Sequence, residues 1–321
     1  MMTLHNNIKD FAELIQLTAA HFGISPDFVE KDYWITSVLK RLALSANTGS
    51  IVFKGGTSLS KGYRLINRFS EDIDIAMINE NLTGNALKTK TRSIEKEITT
   101  DLTEIIEPEI TSKGSMFRKS VFQYPVVTPN RLSSGTPKRI IIEINSFANP
   151  YPYAKQTITS FIAEYLHIIN QKEAIEEYGL QPFSINVLDK SRTMVEKLVS
   201  VVRFSFNENP VKAIASKIRH FYDLYFLAND EQCKAYLYSD SFKKDFAELY
   251  AHDQRTFDTP TNWQGKTVEQ SPLTTDFPAL WDKLKDTYRS ELSQLAFSVI
   301  PEEKDVAESF HFILQQINHN K

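Results

Sequence analysis

The chain has 321 residues, enough for about two domains or for one large domain with additions. Hydrophobic residues make up 41% and charged residues 24%, which excludes a disordered chain, since disorder requires fewer apolar residues and more net charge. The formal charge of −3 excludes a strongly basic domain that wraps nucleic acid, so any nucleic-acid contact needs a local basic patch.

The cysteine content and the charged residues near the N-terminus indicate in which cellular compartment the protein resides. The single cysteine, Cys233, excludes an internal disulfide or a multi-cysteine zinc site and fits a reducing compartment. Lys9, Asp10 and Glu13 argue against the apolar core of a signal peptide, and no apolar run approaches the roughly 18 residues of a membrane span. We therefore expect a soluble cytoplasmic protein with no membrane partner.

Helical patterns come first along the chain. Apolar residues recur at helical spacing over 6–46, which predicts two helices separated by a turn at 21–26. Ser25 and Pro26 resemble a helix start, with Ser25 as the N-cap and Pro26 at the first helical position.

Strand patterns follow. A short apolar run at 51–53 precedes two glycines, and a helix is predicted from residue 57 to about residue 65. Residues 72–77 alternate with period two, which predicts a strand, and 85–106 reads as a polar amphipathic helix.

Two more strands are predicted at 120–127 and 138–147, joined by a hairpin connection at 133–137. The strands thus cluster between two helical regions. The sequence therefore predicts an α+β fold in which a sheet core is flanked by helices.

The remainder of the chain is predicted to be mainly helical. Residues 260–277 are the best candidate for a long loop, and a last helix begins at 301–303, where an acidic pair suits the positive end of the helix dipole. We expect two domains, an N-terminal one over 1–155 and a helical one over 156–321.

The segment 54–61, KGGTSLSK, has the features of a phosphate cradle. Gly55 and Gly56 would let the backbone approach a ligand closely because no Cβ intervenes. A helix starting there would offer free N–H groups to an anion, and Thr57 and Ser58 would add hydroxyl donors. If that helix continued, Lys61, Arg64 and Arg68 would share one face.

Asp72 and Asp74 lie two apart on a predicted strand, so both side chains point to the same face. Their Cα atoms would be roughly 6.6 Å apart. Two carboxylates at about that distance repel by about 3 kcal/mol at an effective dielectric constant near 20. A divalent ion removes this repulsion, and Mg²⁺ is usually held by one or two carboxylates together with substrate phosphates. The pattern predicts metal-assisted phosphoryl or nucleotidyl transfer, with Mg²⁺, or alternatively Mn²⁺, as cofactor.

Glu143 is the candidate third acid. It interrupts the apolar strand 140–144, where a lone carboxylate is costly unless it is paired or bound to a metal. Each feature has a plainer interpretation: the glycines as a simple turn, the aspartates as a solvated strand edge, and Glu143 as a side chain facing solvent. Their combination at this spacing favours a site.

These residues resemble a known family. The GGT at 55–57 followed by D-x-D at 72–74 is similar to the signature of the polymerase-β-like nucleotidyltransferase superfamily. The segments EKDYW at 30–34, KGGTSL at 54–59 and RFSEDID at 68–74 more closely resemble the AbiEii/AbiGii family, the nucleotidyltransferase toxins of type IV toxin–antitoxin systems.

Two further segments extend the resemblance: EKL at 196–198 and RHFYDLY at 219–225. The family often has an acidic residue directly after the arginine, where this chain has His220. This departure leaves any role of that position open.

The resemblance implies a bilobed protein with a nucleotidyltransferase-type mixed sheet and a helical C-terminal lobe. It implies that Asp72 and Asp74 hold Mg²⁺ and that Ser70 helps to hold the triphosphate of an NTP. It also implies that Lys197 reaches the phosphates and that Asp223 has a catalytic or orienting role. A cognate antitoxin is the implied protein partner.

Helical spacing allows plainer roles for several of these residues. Lys197 lies at the margin of an apolar stripe and is either a phosphate ligand or a solvated lysine. Arg219 and Asp223 are four apart and could form a surface ion pair. Lys31 and Asp32 are expected to brace the sheet, and Cys233 to be structural. The seven histidines show no metal-ligand spacing.

The first functional hypothesis is Mg²⁺-dependent transfer of an NMP from an NTP to RNA, with the tRNA 3′ acceptor end as the favoured acceptor. A second has a protein side chain as acceptor, and a third is an NTP-binding partner protein without turnover. The basic residues around the predicted hairpin favour RNA, although they could equally be a solvated strand edge. They are Lys113, Arg118, Lys119, Arg131, Lys138 and Arg139.

Overall fold

A computed structural model describes residues 3–70, 72–78, 82–128, 138–261 and 263–318. The chain divides into two compact units. The sheet unit comprises Met1–Arg64 and Phe69–Leu188, and the helical unit comprises Leu65–Arg68 and Asp189–Lys321.

The main boundary follows Leu188 and not residue 155, because two strands beyond residue 150 belong to the sheet. The expected hairpin connection at 133–137 lies outside the described residues, as does Arg131.

The sheet unit is built on a mixed sheet in which eight strands are described. Their spatial order is β3-β5-β6-β2-β1-β8-β7, with β4 paired to β5. The pairs β1–β8 and β2–β6 are parallel and the other pairs are antiparallel. The strands are β1 (Ile51–Lys54), β2 (Asp72–Met77), β3 (Thr103–Ile105), β4 (Ser112–Lys113), β5 (Phe117–Gln123), β6 (Arg139–Asn145), β7 (Tyr153–Ile158) and β8 (Phe183–Leu188).

Six helices accompany the sheet in the described part of this unit. Pro26 occupies the first turn of the second helix, as predicted, and Ser25 is its N-cap, although the Ser25 side chain makes no capping hydrogen bond. The helices are α1 (Ile8–Phe22), α2 (Pro26–Leu44), α3 (Gly55–Lys61), α4 (Gly84–Ile98), α5 (Phe161–Ile168) and α6 (Lys172–Glu177).

Alternation along β2 decides which side of the sheet is apolar. Ile73, Ile75 and Met77 are buried in the core together with Trp34 of α2. Each fully buried side chain of this size contributes about 1.5–3 kcal/mol. Because successive strand residues face opposite sides, this burial turns the intervening polar residues to the other face.

The structure corrects three predicted segments. The helix predicted over 85–106 ends at Ile98, because β3 pairs with β5 immediately afterwards. The helix predicted to reach about residue 65 ends at Lys61, and Arg64 has a φ of 52° in the left-handed region. The region after residue 155 is not wholly helical, since β7 continues to Ile158 and β8 follows α6.

The helical unit packs around aromatic side chains. Phe221 lies 4.5 Å from Phe310 and 5.2 Å from Trp281, measured between ring centroids.

The last helix begins at Glu303, as predicted, and the expected loop at 260–277 contains a 3-10 turn and a short helix. Its helices are α7 (Lys190–Phe204), α8 (Pro210–Ala215), α9 (Ile218–Asn229), α10 (Glu231–Leu237), α11 (Asp240–Thr256), α12 (Pro272–Thr275), α13 (Phe277–Asp282), α14 (Lys285–Leu295) and α15 (Glu303–Asn318).

Within the ranges described, no helix is both long enough and apolar enough to cross a membrane.

Candidate active site

Asp72 and Asp74 share one face of β2, as predicted. Both are half-buried, whereas Ile73 between them is fully buried in the core. The parallel register sets Asp74 beside Glu143 of β6, so the Glu143 carboxylate belongs to the same face. The sequence pattern was therefore sufficient to orient Asp72 and Asp74, whereas the position of Glu143 beside them follows from the strand register.

The glycine bend lies directly against the aspartate pair. Gly55 has a φ of +79°, and a Cβ added there would lie 1.9 Å from Oδ2 of Asp74. Only a residue without a Cβ leaves the Asp74 carboxylate its position, which accounts for the first glycine. The hydroxyl of Thr57 donates to the backbone carbonyl of Asp72 and fastens α3 to the strand.

The hydroxyl groups that the sequence assigned to phosphate are engaged in local structure. Ser58 is fully buried in α3, and its Oγ donates to the Gly55 carbonyl over 2.8 Å. Gly56 and Thr57 are also buried. The Oγ of Ser70 accepts from the Asp72 N–H at 3.4 Å. These contacts place the cradle residues beside the aspartates and show what fixes them there.

Lys61 has a bracing contact within the sheet unit. Its Nζ lies 2.5 Å from the buried Asp32 carboxylate and also donates to the Thr159 carbonyl. Asp32 in turn accepts from the Phe161 N–H at 2.8 Å. The expectation that Asp32 braces the sheet is confirmed.

The shared basic face predicted for Lys61, Arg64 and Arg68 is wrong. The helix ends at Lys61, and the chain beyond it turns. Arg64 reaches Glu164 at 2.8 Å instead, and Arg68 belongs to the helical unit. A phosphate-binding role for Lys61 therefore requires that it leave Asp32.

Lys119 of β5 also belongs to this face, whereas the sequence analysis placed it only among the basic residues near the predicted hairpin. It stands opposite Glu143 in the β5–β6 register, and its Nζ lies 3.2 Å from a Glu143 carboxylate oxygen. Burial would lower the pKa of Lys119, but the charges of Asp72, Glu143 and Asp74 outweigh burial and raise it. Its signal in the sequence was the alternation of 117–123, which could not be read without the strand register.

The basic residues near the predicted hairpin do not form a free cationic surface. Arg131 lies outside the described residues. Each of the other members contacts a carboxylate, in the pairs Lys113–Glu104, Arg118–Glu95, Lys119–Glu143, Lys138–Asp27 and Arg139–Glu107. This cluster therefore gives no support to an RNA contact.

The oxygen ligands available to a metal are the paired carboxylates of Asp72 and Asp74. Within the ranges described, no group of three or more His, Cys, Asp and Glu side chains is arranged to hold a metal ion. Glu143, paired with Lys119, does not join the aspartates as a third ligand. The pair alone fits Mg²⁺, which binds one or two carboxylates and takes its other ligands from phosphates and water.

The helical unit contains a second charged cluster, made by Arg68, Lys197 and Asp223. Arg68 donates twice to the Asp223 carboxylate, at 2.7 and 2.6 Å. The Nζ of Lys197 lies 2.8 Å from an oxygen of the same carboxylate. Lys197 is thus a buried ion-pair partner and not a solvated lysine. Asp223 is fully buried, so its interpretation as part of a surface ion pair with Arg219 is wrong.

Burial alone would raise the pKa of Asp223. The positive charges of Arg68 and Lys197, and the hydrogen bonds that both donate, outweigh burial and hold this pKa well below its usual range. The carboxylate therefore stays ionised and fixes both cations.

His220 is enclosed near this cluster. Its Nδ1 is buried and has no hydrogen-bond partner among the residues described. Burial is the main cause that lowers the pKa of His220 well below its usual value, and the charge of Lys197 adds to it. His220 is thus held as a neutral imidazole.

We expect this histidine to make stability fall as the pH drops below about 6.5, the ordinary pKa of the residue. In that range His220 is protonated in the unfolded chain but not in the folded protein. Lower pH therefore stabilises the unfolded state relative to the folded state. Between pH 7.5 and 5.5 the loss is about 1.4 kcal/mol. Denaturant unfolding of His220→Gln should lack this part of the pH dependence.

The matched control is His311→Gln, since His311 is exposed on α15 of the same unit. It should keep the wild-type pH dependence. Equal pH dependence in His220→Gln and in the wild type would contradict the assignment.

Cys233 is a free, buried cysteine. Burial raises the pKa of its thiol to about 12. A thiol that stays protonated at neutral pH is a poor nucleophile, which agrees with the structural role expected from the sequence.

The chain and its fold are similar to known toxins. The family described as "Nucleotidyl transferase AbiEii toxin, Type IV TA system" matches residues 37–315. The fold is similar to that of MenT4, a nucleotidyltransferase toxin from Mycobacterium tuberculosis, with a TM-score of 0.55 and 16% identity over 94% of this chain and 89% of that one. No curated protein matches the chain in sequence.

The family match covers most of the chain, including the glycine bend, the aspartate pair and the Arg68–Lys197–Asp223 cluster. The likeness to MenT4 agrees with it at the level of the fold. The protein therefore belongs to the AbiEii family of nucleotidyltransferase toxins of type IV toxin–antitoxin systems.

Proposed function

We propose that this toxin transfers an NMP from an NTP to RNA in a Mg²⁺-dependent reaction in the cytoplasm, with the tRNA 3′ acceptor end as the first candidate acceptor. The observation that carries the proposal is the Asp74 carboxylate seated against Gly55, with Asp72 on the same face of the strand. Membership in a type IV system implies an NTP substrate and a cognate antitoxin partner.

Asp72 and Asp74 are the residues that would hold the divalent ion, whose contribution would be to polarise the phosphate under attack. In the same proposal, the backbone at Gly55 and Gly56 approaches the triphosphate. Ser70 lies next to the aspartates and would contact a phosphate there. The contacts of Gly55 with Asp74 and of Ser70 with Asp72 support these roles.

Three further residues receive roles in this proposal. Glu143 would accept the proton of the attacking hydroxyl, for which it must loosen its pair with Lys119. Lys197 would bind phosphate, and Asp223 would orient it, as their 2.8 Å contact favours. Four residues predicted to bind the nucleotide would instead hold the site in place through the local contacts described above. They are Thr57, Ser58, Lys61 and Arg68.

An RNA acceptor finds support in the exposed side of α4. Lys88, Arg92 and Lys96 recur four residues apart and are exposed. None of the three forms an ion pair with a residue that the structure describes. Cations without carboxylate partners can neutralise phosphates of a nucleic-acid backbone.

The acceptor is identified by a labelling experiment. The protein is incubated with Mg²⁺, each α-labelled NTP in turn, and cell lysate supplemented with total RNA, and the products are divided between ribonuclease and protease. Label that ribonuclease removes supports RNA as acceptor. Label that only protease removes indicates a protein acceptor, and NTP binding without labelling of any product indicates a partner protein without turnover.

Gly55→Ala tests the cradle in the same assay. The new Cβ would lie 1.9 Å from Oδ2 of Asp74 at a φ of +79°, so the carboxylate must move. A misplacement of about 1 Å at a reacting centre costs about 10²-fold in rate. We expect at least that loss of transfer, together with about 1–2 kcal/mol of stability from the left-handed backbone.

Gly49→Ala is the matched control, because a Cβ at Gly49 meets no atom within 4 Å. It should transfer nucleotide at the wild-type rate. A wild-type rate in Gly55→Ala would contradict the assigned role of the glycine bend.

A further inference from the structure

Four charged residues form a row across the polar face of the sheet. The register pairs Lys54 of β1 with Asp74 of β2, Asp74 with Glu143 of β6, and Glu143 with Lys119 of β5. Directly paired residues of neighbouring strands share a face. The row thus reads cation, anion, anion, cation, with the two carboxylates at its centre.

Lys119 is the cation at the β5 end of this row. Its Nζ lies 3.2 Å from Glu143, and both side chains are about a quarter exposed, at 26% and 23%. In the register Glu143 stands between Lys119 and Asp74, and Asp72 shares their face of β2. The ammonium of Lys119 therefore lies near a group of three carboxylates, whose charges outweigh burial and raise the pKa of Lys119.

Carboxylates gathered on one face repel each other unless a cation lies among them. A lysine is suited to a reversible role because its flexible stem lets the ammonium withdraw while the backbone stays fixed. A divalent ion brought in with the NTP would face this ammonium as a like charge. Lys119 and the ion would then neutralise the same acidic face, formed by Asp72, Asp74 and Glu143, one after the other.

We propose that Lys119 is a built-in counter-cation, a positioning residue that stabilises the acidic face before a divalent ion binds and weakens the affinity of that face for the ion. This inference rests on the proposed function in one respect, since it takes Asp72 and Asp74 as the metal ligands. Without nucleotide, the positive charge of Lys119 weakens binding of the divalent ion. When the ion binds together with an NTP, the substrate phosphates add negative charge that compensates for the lysine. Lys119 thereby favours joint binding of metal and NTP.

Mn²⁺ is the probe, with two readouts that need no nucleotide and no acceptor. The first is the melting temperature in EDTA and in excess Mn²⁺, and the second is the Mn²⁺ dissociation constant from titration calorimetry. In EDTA, Lys119→Met should melt about 2–4 °C below the wild type. Its Mn²⁺ affinity should be about tenfold tighter, since a unit charge near a divalent ion has been removed.

Three variants separate this role from a merely structural one. Lys119→Arg keeps the charge and should behave as the wild type, whereas Lys119→Gln should tighten Mn²⁺ binding as Lys119→Met does. Lys113→Met removes a lysine that pairs with Glu104 in the same sheet. It should lower the melting temperature without changing the Mn²⁺ affinity.

Unchanged or weaker Mn²⁺ affinity in both Lys119→Met and Lys119→Gln would overturn this inference alone, provided that Asp74→Asn abolishes Mn²⁺ binding. If the wild type binds no Mn²⁺, or if Asp74→Asn binds it as well as the wild type does, the metal site of the proposed function fails, and the inference fails with it.

Discussion

Asp72→Asn and Asp74→Asn, each alone, should lower the rate of nucleotide transfer at least about 10³-fold, because each removes a negative oxygen ligand while keeping the shape of the side chain. The fold should persist. Ile73 and Ile75 hold β2 in the core from the other face, and loss of one carboxylate relieves repulsion. The rate is measured with an α-labelled NTP, and folding by circular dichroism and melting temperature.

The control for this pair is Glu104→Gln, which removes an exposed strand carboxylate from the same sheet. Glu104 contacts Lys113 at the surface, and such pairs contribute at most about 1 kcal/mol. Its transfer rate should match the wild type. Overproduction in cells should arrest growth for the wild type and for Glu104→Gln but not for the two aspartate variants. Transfer or growth arrest that persists in a folded Asp74→Asn protein would contradict the mechanism.

Asp223→Ala should cost about 3–5 kcal/mol of unfolding free energy, because it leaves the buried Arg68 and Lys197 cations without their shared carboxylate. The measurement is denaturant unfolding of the full chain near pH 7. This loss of stability distinguishes Asp223 from Asp72 and Asp74, whose loss should affect the reaction and not the fold.

The same cluster predicts a response to acid. The pKa of Asp223 is depressed in the folded state, so its stabilisation is present above about pH 3.9, the ordinary aspartate pKa, and is lost as the pH falls below that value. Asp223→Ala should lack this part of the acid sensitivity.

Two comparisons test the origin of the loss. Glu248→Ala removes an exposed carboxylate that pairs with Lys244 on α11, and it should cost less than about 0.5 kcal/mol. The triple variant Arg68→Met, Lys197→Met and Asp223→Leu replaces the ions by apolar groups and should recover much of the lost stability. A cost below about 1 kcal/mol in Asp223→Ala would contradict the buried-cluster interpretation.

The acidic face could be predicted from sequence because its geometry is local. Period-two alternation over 72–77 fixes the side to which Asp72 and Asp74 point, and the strand forms with those bounds. The glycine bend could be placed next to them because the two are joined by a short stretch of chain.

Contacts between distant parts of the chain could not be predicted in the same way. Arg68 was assigned to a phosphate-binding face, yet it pairs with Asp223, 155 residues away in the sequence. Lys119 meets Glu143 through a strand register that no local pattern specifies. The β7 strand was missed because it lies at the sheet edge and exposes polar residues such as Lys155 and Thr157, which weakens its alternation.

The most direct test of nucleotidyl transfer compares two labels of one NTP in parallel reactions with the wild-type protein, Mg²⁺ and total RNA. Attack at the α-phosphate should leave the α-label in RNA and release the γ-label as pyrophosphate, and both events should disappear with Asp74→Asn. A γ-label retained in the macromolecular fraction, or an α-label that enters it equally with Asp74→Asn, would contradict the account.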